Sequence, residues 1–236
     1  LNTAEFSELF ESCKGCDSCR SACALLEREG NPAEIFDDAS KIQRLAYECT
    51  LCGRCEALCP PRLEIVEAFR ISRRLLYSRG KHPKLALLGG QLYQRLGNIR
   101  PLKAHFAPKD SKVAFFPGCN LSGSRPETVW RLWEELEKAS PGLGLVFDCC
   151  MVLRRVMGDE AGFSRSTAEL GRSLKAMGVK TLISACPSCT SALKSGGLEV
   201  EFQSVYDMID AMPFDAKIGE GTIRMHDACS AREDDD

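Results

Sequence analysis

The chain has 236 residues, 44% hydrophobic and 27% charged, with a formal net charge of −2 and 14 cysteines. That length allows two modest domains, each with its own core. The near-neutral charge gives no global bias toward nucleic acid or membrane. No run of about 18 apolar residues appears, so no transmembrane helix is expected. The opening residues Leu1-Asn2-Thr3-Ala4-Glu5 carry neither a basic nor an apolar leader, so no signal peptide is expected, and Leu1 in place of Met reads as numbering from within a longer protein. A disulfide scaffold suits small secreted domains without a core. Ample apolar content and the cysteine spacing favour reduced thiols and a cytoplasmic setting instead.

Residues 3–112 read as mainly helical. Asn2 or Thr3 can cap a helix from Ala4 to Ser12, with Phe6, Leu9 and Phe10 on one face. The first cysteine run follows as Cys13-Lys14-Gly15-Cys16-Asp17-Ser18-Cys19-Arg20-Ser21-Ala22-Cys23. Asn31-Pro32 opens another helix, with proline at its first position. Asp38 to Ala46, with Ile42, Leu45 and Ala46 at helical spacing, leads to the second run, Cys49-Thr50-Leu51-Cys52-Gly53-Arg54-Cys55-Glu56-Ala57-Leu58-Cys59-Pro60. After Pro61 a long helix carries Ile65, Phe69, Ile71, Leu75 and Leu76 and ends near Gly80; a further one runs from about His82 to Leu96. Arg62 to Lys112 holds 12 Lys or Arg against 3 acidic residues, Glu64, Glu67 and Asp110. Such a segment is either a solvated face or a docking surface for an acidic partner or anionic membrane.

From Lys112 the pattern changes to short apolar runs alternating with helical segments, which predicts βαβ units and a parallel sheet. Strands are expected at Val113–Phe116, Leu143–Phe147, Lys180–Ala185, Val200–Ser204 and Thr222–His226, with helices near Pro126–Lys138, Glu160–Met177 and Tyr206–Met212. Trp130 and Trp133, three apart on one helix, read as core packing. The fold class is therefore α+β overall: an all-α ferredoxin-like module over 1–80, a basic helical linker over 81–111, and an α/β parallel-sheet domain over 112–236.

Both N-terminal runs read C-x2-C-x2-C-x3-C, and the second ends in Cys-Pro, the bacterial ferredoxin pattern. In two-cluster ferredoxins the fourth cysteine of each run ligates the other cluster. By that rule Cys13, Cys16, Cys19 and Cys59 hold one 4Fe–4S cluster, and Cys49, Cys52, Cys55 and Cys23 hold a second. Structural zinc is the alternative, although it usually takes two C-x2-C pairs.

The other cysteines are Cys119, Cys149, Cys150, Cys186, Cys189 and Cys229. The first five follow expected strands, at the carboxyl edge where open α/β sheets bind ligands. The spacing C-x29-C-C-x35-C-x2-C resembles the cysteine-rich CCG domain of heterodisulfide reductases and of the iron–sulfur subunits of glycolate oxidase and anaerobic glycerol-3-phosphate dehydrogenase. The whole layout, a twin 4Fe–4S helical module before a CCG module, is similar to those families. The resemblance implies that Cys119, Cys149, Cys150, Cys186 and Cys189 ligate a third, non-cubane 4Fe–4S cluster and form the catalytic site; zinc or buried free thiols are the other readings. Met151 stands where the family usually has glycine, so a less free turn is expected there. His226-Asp227-Ala228-Cys229 resembles the start of a second CCG motif, with Cys229 left without partners. His226-Asp227 reads as a strand end satisfying nearby backbone in preference to an acid/base pair, His82 and His105 carry no assignment, and Pro187 makes Cys186–Cys189 only superficially like a thioredoxin motif.

The expected function is an iron–sulfur electron-transfer subunit of an anaerobic-type oxidoreductase, passing electrons between a flavin or other redox partner and an acceptor. The alternative is a heterodisulfide reductase-like subunit that cleaves a disulfide at the CCG cluster. No nucleotide-binding glycine fingerprint is present, so flavin or NAD would come from a partner subunit: a flavoprotein, hydrogenase or quinone module, with peripheral membrane association through it. No nucleic-acid partner is expected.

Overall fold

In a computed structural model the described residues are 3–97, 99, 103–108, 111–211 and 222. The chain forms two compact units, Leu1–Leu87 with Arg154–Glu160, and Leu88–Leu153 with Ala161–Asp236.

The first unit is helical: α1 (Ala4–Phe10), α2 (Ala24–Glu29), α3 (Pro32–Phe36), α4 (Ala39–Leu45), α5 (Arg54–Ala57) and α6 (Ile65–Ser78). Most are too short to stand alone, so caps and packing must hold them. Asn31 and Glu34 form a reciprocal capping box at α3, and the Asp38 carboxylate accepts the Ser40 and Lys41 amides at α4. Thr3 flanks α1 without a side-chain cap bond, and Asn2 lies outside the described residues. Phe36 is the hub of the core, its ring centre 5.1 Å from Phe6, 4.9 Å from Phe10 and 4.9 Å from Phe69. Ile35, Ile42, Leu45 and Ile65 fill in around it, and Cys19, Cys55 and Cys59 join the same cluster. The two cysteine runs are thus tied to one aromatic core.

Helix α7 (Lys84–Gly97) is followed by β1 (Ala104–Phe106), β2 (Val113–Phe116), α8 (Gly118–Ser124), α9 (Pro126–Ala139), β3 (Gly144–Phe147), α10 (Val152–Met157), α11 (Glu160–Met177), β4 (Thr181–Ser184), α12 (Pro187–Ser195), β5 (Glu201–Ser204) and α13 (Val205–Asp210). The strand order is β1-β3-β2-β4-β5. The pairs β2–β3, β2–β4 and β4–β5 are parallel. The period-2 alternation of β2 sorts its side chains: Ala114 and Phe116 pack with Leu170, Leu174 and Leu193, while Phe115 packs with Val129, Leu136 and Val205. Helices α11 and α12 therefore cover one face of the sheet, and α9 and α13 the other.

Three expectations need correction. The sheet is mixed, because β1 pairs antiparallel with β3, Ala104 opposite Phe147 and Phe106 opposite Leu145. Its residues belong to the segment read as a helical linker. Ala-His-Phe has no periodicity of its own, and only pairing with the β3 edge makes it a strand. Trp130 is 49% exposed. It stands edge-on to Trp133 at 6.1 Å and to Phe147 at 6.1 Å, while Trp133 sends its indole N–H to the Leu143 carbonyl at 3.4 Å. The basic segment is also not uniformly solvated: Arg70 and Arg74 both pair with Glu67, and Arg73 is buried. The expected strand Thr222–His226 lies, apart from Thr222, outside the described residues.

Phe36→Ala is expected to lower the stability of the first unit by about 3–5 kcal/mol, the usual cost of emptying an aromatic core site. Urea denaturation of the metal-free protein checks this.

Candidate metal centres

The two N-terminal runs share one backbone path. The second residue after the leading cysteine has a left-handed φ in both, 61° at Gly15 and 59° at Leu51. The residue after the next cysteine repeats it, 59° at Asp17 and 78° at Gly53. Glycine occupies the first of these places in one run and the second in the other, so the path is set by the cysteines and not by glycine alone. At Leu51 the turn aims the amide at the Cys49 sulfur, 3.4 Å away.

Cys13, Cys16, Cys19 and Cys59 line one cavity, closed by Pro32, Pro61, Leu63 and Ile65. Cys59 arrives there from the second run. Cys23 of the first run lies within electrostatic reach of Cys49 and Cys55, which also act on each other, and Cys52 acts on Cys49. The fourth cysteines are therefore exchanged between the runs. Burial pushes the Cys19 thiol up, and burial with the neighbouring Cys49 pushes Cys55 up to about 12. An exposed Cys16 is lowered by hydrogen bonds from Ser18.

At the carboxyl edge of the sheet the other five cysteines meet. Cys119 starts α8 after β2, Cys149 and Cys150 follow β3, and Cys186 caps α12 after β4, with Cys189 in its first turn. Gly118 (φ 74°) allows the approach: a Cβ there would lie 3.2 Å from the Cys189 sulfur. The thiols form an unbroken run. Cys119 and Cys149 are hydrogen-bond partners, as are Cys149 and Cys150, and Cys189 lies within hydrogen-bond reach of both Cys150 and Cys186. Cys150 and Cys186 are lowered, first by those thiol bonds, while Cys189 is raised by them.

Met151 corrects an expectation. It makes the turn with φ 56° despite its side chain, and its amide reaches the Cys149 sulfur at 3.4 Å. This is the geometry of Leu51 over Cys49. The side chain is 1% exposed and packs against Phe163 and Ala192, which offsets the strain of the left-handed backbone.

Groups that the sequence left unassigned surround this site. The Tyr93 hydroxyl donates to Cys119, which pushes the phenol up to about 12. Asp148, directly before the cysteine pair, accepts from the Cys149 amide at 2.7 Å, from Lys103 at 3.1 Å and from His105 Nε2 at 3.2 Å. Burial opposes its ionisation, but His105 and Lys103 hold its carboxyl below the usual range. A charge next to Cys149-Cys150 was visible in the sequence; Lys103, His105 and Tyr93 are remote in sequence and gave no signal. Cys229 and His226-Asp227 lie outside the described residues.

All the described cysteines are free thiols, with no disulfide among them. Among the described residues no group of three or more His, Cys, Asp or Glu converges as the ligands of one metal ion do. A cubane sets a different demand, since four thiolates each reach their own iron around a volume. An apolar cavity walled by four thiols fits that demand.

Residues 113–194 match the model of the cysteine-rich domain family CCG. All five cysteines of the sheet edge fall inside the match, which supports an iron–sulfur or other redox role. No curated protein and no solved structure matches the chain. No helix among the described residues is long and apolar enough to cross a membrane.

Two outcomes follow. Met151→Gly is expected to destabilise by a net of about 1–3 kcal/mol, because the lost burial outweighs the relieved backbone strain; thermal denaturation reads it. Asp148 has a lowered pKa in the folded state, so the stability it contributes is full above the ordinary carboxylate pKa and is lost as pH falls through the lowered one. Asp148→Asn should flatten that acid limb in a pH series of urea midpoints.

Proposed function

We propose that the chain is an iron–sulfur electron-transfer subunit of an oxidoreductase, passing electrons between a flavin or other redox partner and an acceptor. The observation that carries this reading is the exchange of fourth cysteines, which puts Cys59 on one cavity wall with Cys13, Cys16 and Cys19. Spacing alone would permit two separate zinc sites, but exchange is the arrangement of two-cluster ferredoxins. Cys13, Cys16, Cys19 and Cys59 would hold one 4Fe–4S cluster, and Cys23, Cys49, Cys52 and Cys55 the second. Each would supply one-electron storage. The chain's own residues give these sites their character: Pro61, Leu63 and Ile65 wall the first on its apolar side, and the Leu51 amide donates to the Cys49 sulfur in the second. Hydrogen bonds to sulfur and exclusion of solvent both tune cluster potentials. The redox partner would be a flavoprotein, hydrogenase or quinone module in the cytoplasm or at the membrane's cytoplasmic face.

A second reading is a heterodisulfide reductase-like catalytic subunit, cleaving a disulfide at a non-cubane cluster on Cys119, Cys149, Cys150, Cys186 and Cys189. The continuous run of those thiols favours it, with the Tyr93 hydroxyl at one end and Asp148 behind Cys149. Tyr93 would orient Cys119 through its O–H, and Gly118 would keep the space beside Cys189 open.

Anaerobic purification with iron, sulfide and zinc analysis separates the readings. About eight irons per chain, in a chromophore bleached by dithionite, is the expected result for two cubanes. About twelve, with an EPR signal unlike that of reduced cubanes, would favour the disulfide reading. A colourless zinc protein would overturn both. Cys59→Ser should disturb the first cluster although it lies in the second run.

A further inference from the structure

Arg73, on α6, is 4% exposed. Its Nε donates to the Ala46 carbonyl at 2.7 Å, one terminal nitrogen to the Val156 carbonyl at 2.8 Å, and the other to the Cys49 carbonyl. The guanidinium lies 5.3 Å from the centre of the Tyr47 ring, whose hydroxyl donates to the Met157 carbonyl at 3.0 Å. Gly158 (φ 93°) closes the enclosure, because a Cβ there would collide with the Arg73 carbonyl. All these residues belong to the first unit.

These bonds give each guanidinium nitrogen a carbonyl partner but leave the charge. The ionisable groups acting on Arg73 are Cys49 and Tyr47, with Arg70 opposing, and none is a carboxylate. Its helix neighbours differ: Arg74 meets Glu67 at 2.8 Å and Arg70 meets it at 3.7 Å. A buried cation without an anion is strongly unfavourable. The negative charge within reach would be that of Cys23, Cys49, Cys52 and Cys55 once they ligate a cluster as thiolates.

We propose that Arg73 is the buried counter-cation of the cluster held by Cys23, Cys49, Cys52 and Cys55, placed against it through the Cys49 carbonyl, and that it raises that cluster's reduction potential. The inference rests on the cluster reading of those four cysteines. Reduction adds one negative charge to the site, so a fixed positive charge nearby favours the reduced form. Burial keeps that charge in low dielectric and away from salt. Among the described residues the first site has no buried cation: Lys14, which lines its cavity, is exposed, and Arg20 is 37% exposed and bonded to Asp17 at 2.8 Å, so its charge is both paired and screened. Arg73 is thus a positioning and tuning residue for one site only.

The test is an EPR-monitored redox titration of the anaerobically purified full chain, with iron counted in every sample. Arg73→Gln keeps amide donors and removes the charge. With full iron, one of the two reduction waves should fall by at least a tenfold change in the reduced-to-oxidised ratio, about 59 mV for one electron. The other wave should stay in place; Cys16→Ser, which alters only the first site, identifies it. Arg73→Lys keeps the charge and should hold the potential near the wild-type value even if stability drops. Unmoved waves in an iron-replete Gln variant would overturn the role of Arg73 and leave the cluster reading standing. Equal shifts in the Gln and Lys variants would overturn the charge argument. A wild-type chain without iron would overturn the cluster reading and this inference together. If the Gln variant does not hold iron, added salt decides in the wild-type chain: the wave of the second site should resist it, and a wave as salt-sensitive as the first overturns the proposal.

Discussion

At Cys49 and Cys149 the sulfur accepts the amide two residues on because the chain turns back sharply after it, and both units use that turn. The second residue after the leading cysteine takes φ 61° at Gly15, 59° at Leu51 and 56° at Met151. At Leu51 and Met151 the amide stands 3.4 Å from the cysteine sulfur. An L-residue in this region costs about 1–2 kcal/mol. The side chains at both non-glycine positions pack on apolar neighbours, Leu51 against the aromatic core and Met151 beside Phe163, so burial offsets the strain. The turn therefore depends on the core behind it, and the core in turn places the sulfur.

In the first unit that dependence explains how such short helices persist. Helix α5 has four residues, one of which is Cys55, and no side-chain cap. Alone it would not form. It is held by α6, where the Glu56 carboxylate accepts the Val66 amide at 2.6 Å, and by the shared core that includes Cys55 and Cys59. Helices α3 and α4, which link the two runs, are fixed by a capping box and an aspartate cap, and Phe36 from α3 joins the aromatic cluster. The runs are brought together by packing between them, and so the fourth cysteine of each can serve the other.

Much of this was legible in the residues. Period-3.6 spacing located α6, a short apolar run located β2, and the Asn-Pro signal marked α3. These signals are local, and the cysteine spacing that indicated the exchange is local too. What was missed depends on distant partners. Strand β1 exists because the edge of β3 accepts it. Lys103 and His105 acquire a role only when that pairing sets them beside Asp148, and Tyr93 only where its hydroxyl meets Cys119. Met151 was misread for a different reason: a glycine rule describes the backbone alone, whereas the site also supplied a buried place for the side chain.

The two units handle charge by different means. Around the N-terminal sulfurs stand the Leu51 amide at Cys49 and the Ser18 hydroxyl at Cys16, with Arg73 as a fixed cation whose three nitrogens each donate to a carbonyl. Such a setting can favour one electron count over another, yet it offers little that could carry a proton. The sheet-edge site is furnished with a phenol, an imidazole, a carboxylate and an ammonium group, and its thiols are already linked by hydrogen bonds. Bond-breaking chemistry at sulfur needs protons as well as electrons, whereas conduction needs electrons alone. The proposed electron transfer through the first unit asks only for such a fixed charge, whereas the disulfide reading of the sheet edge asks for the protons that its phenol, imidazole and thiols can supply.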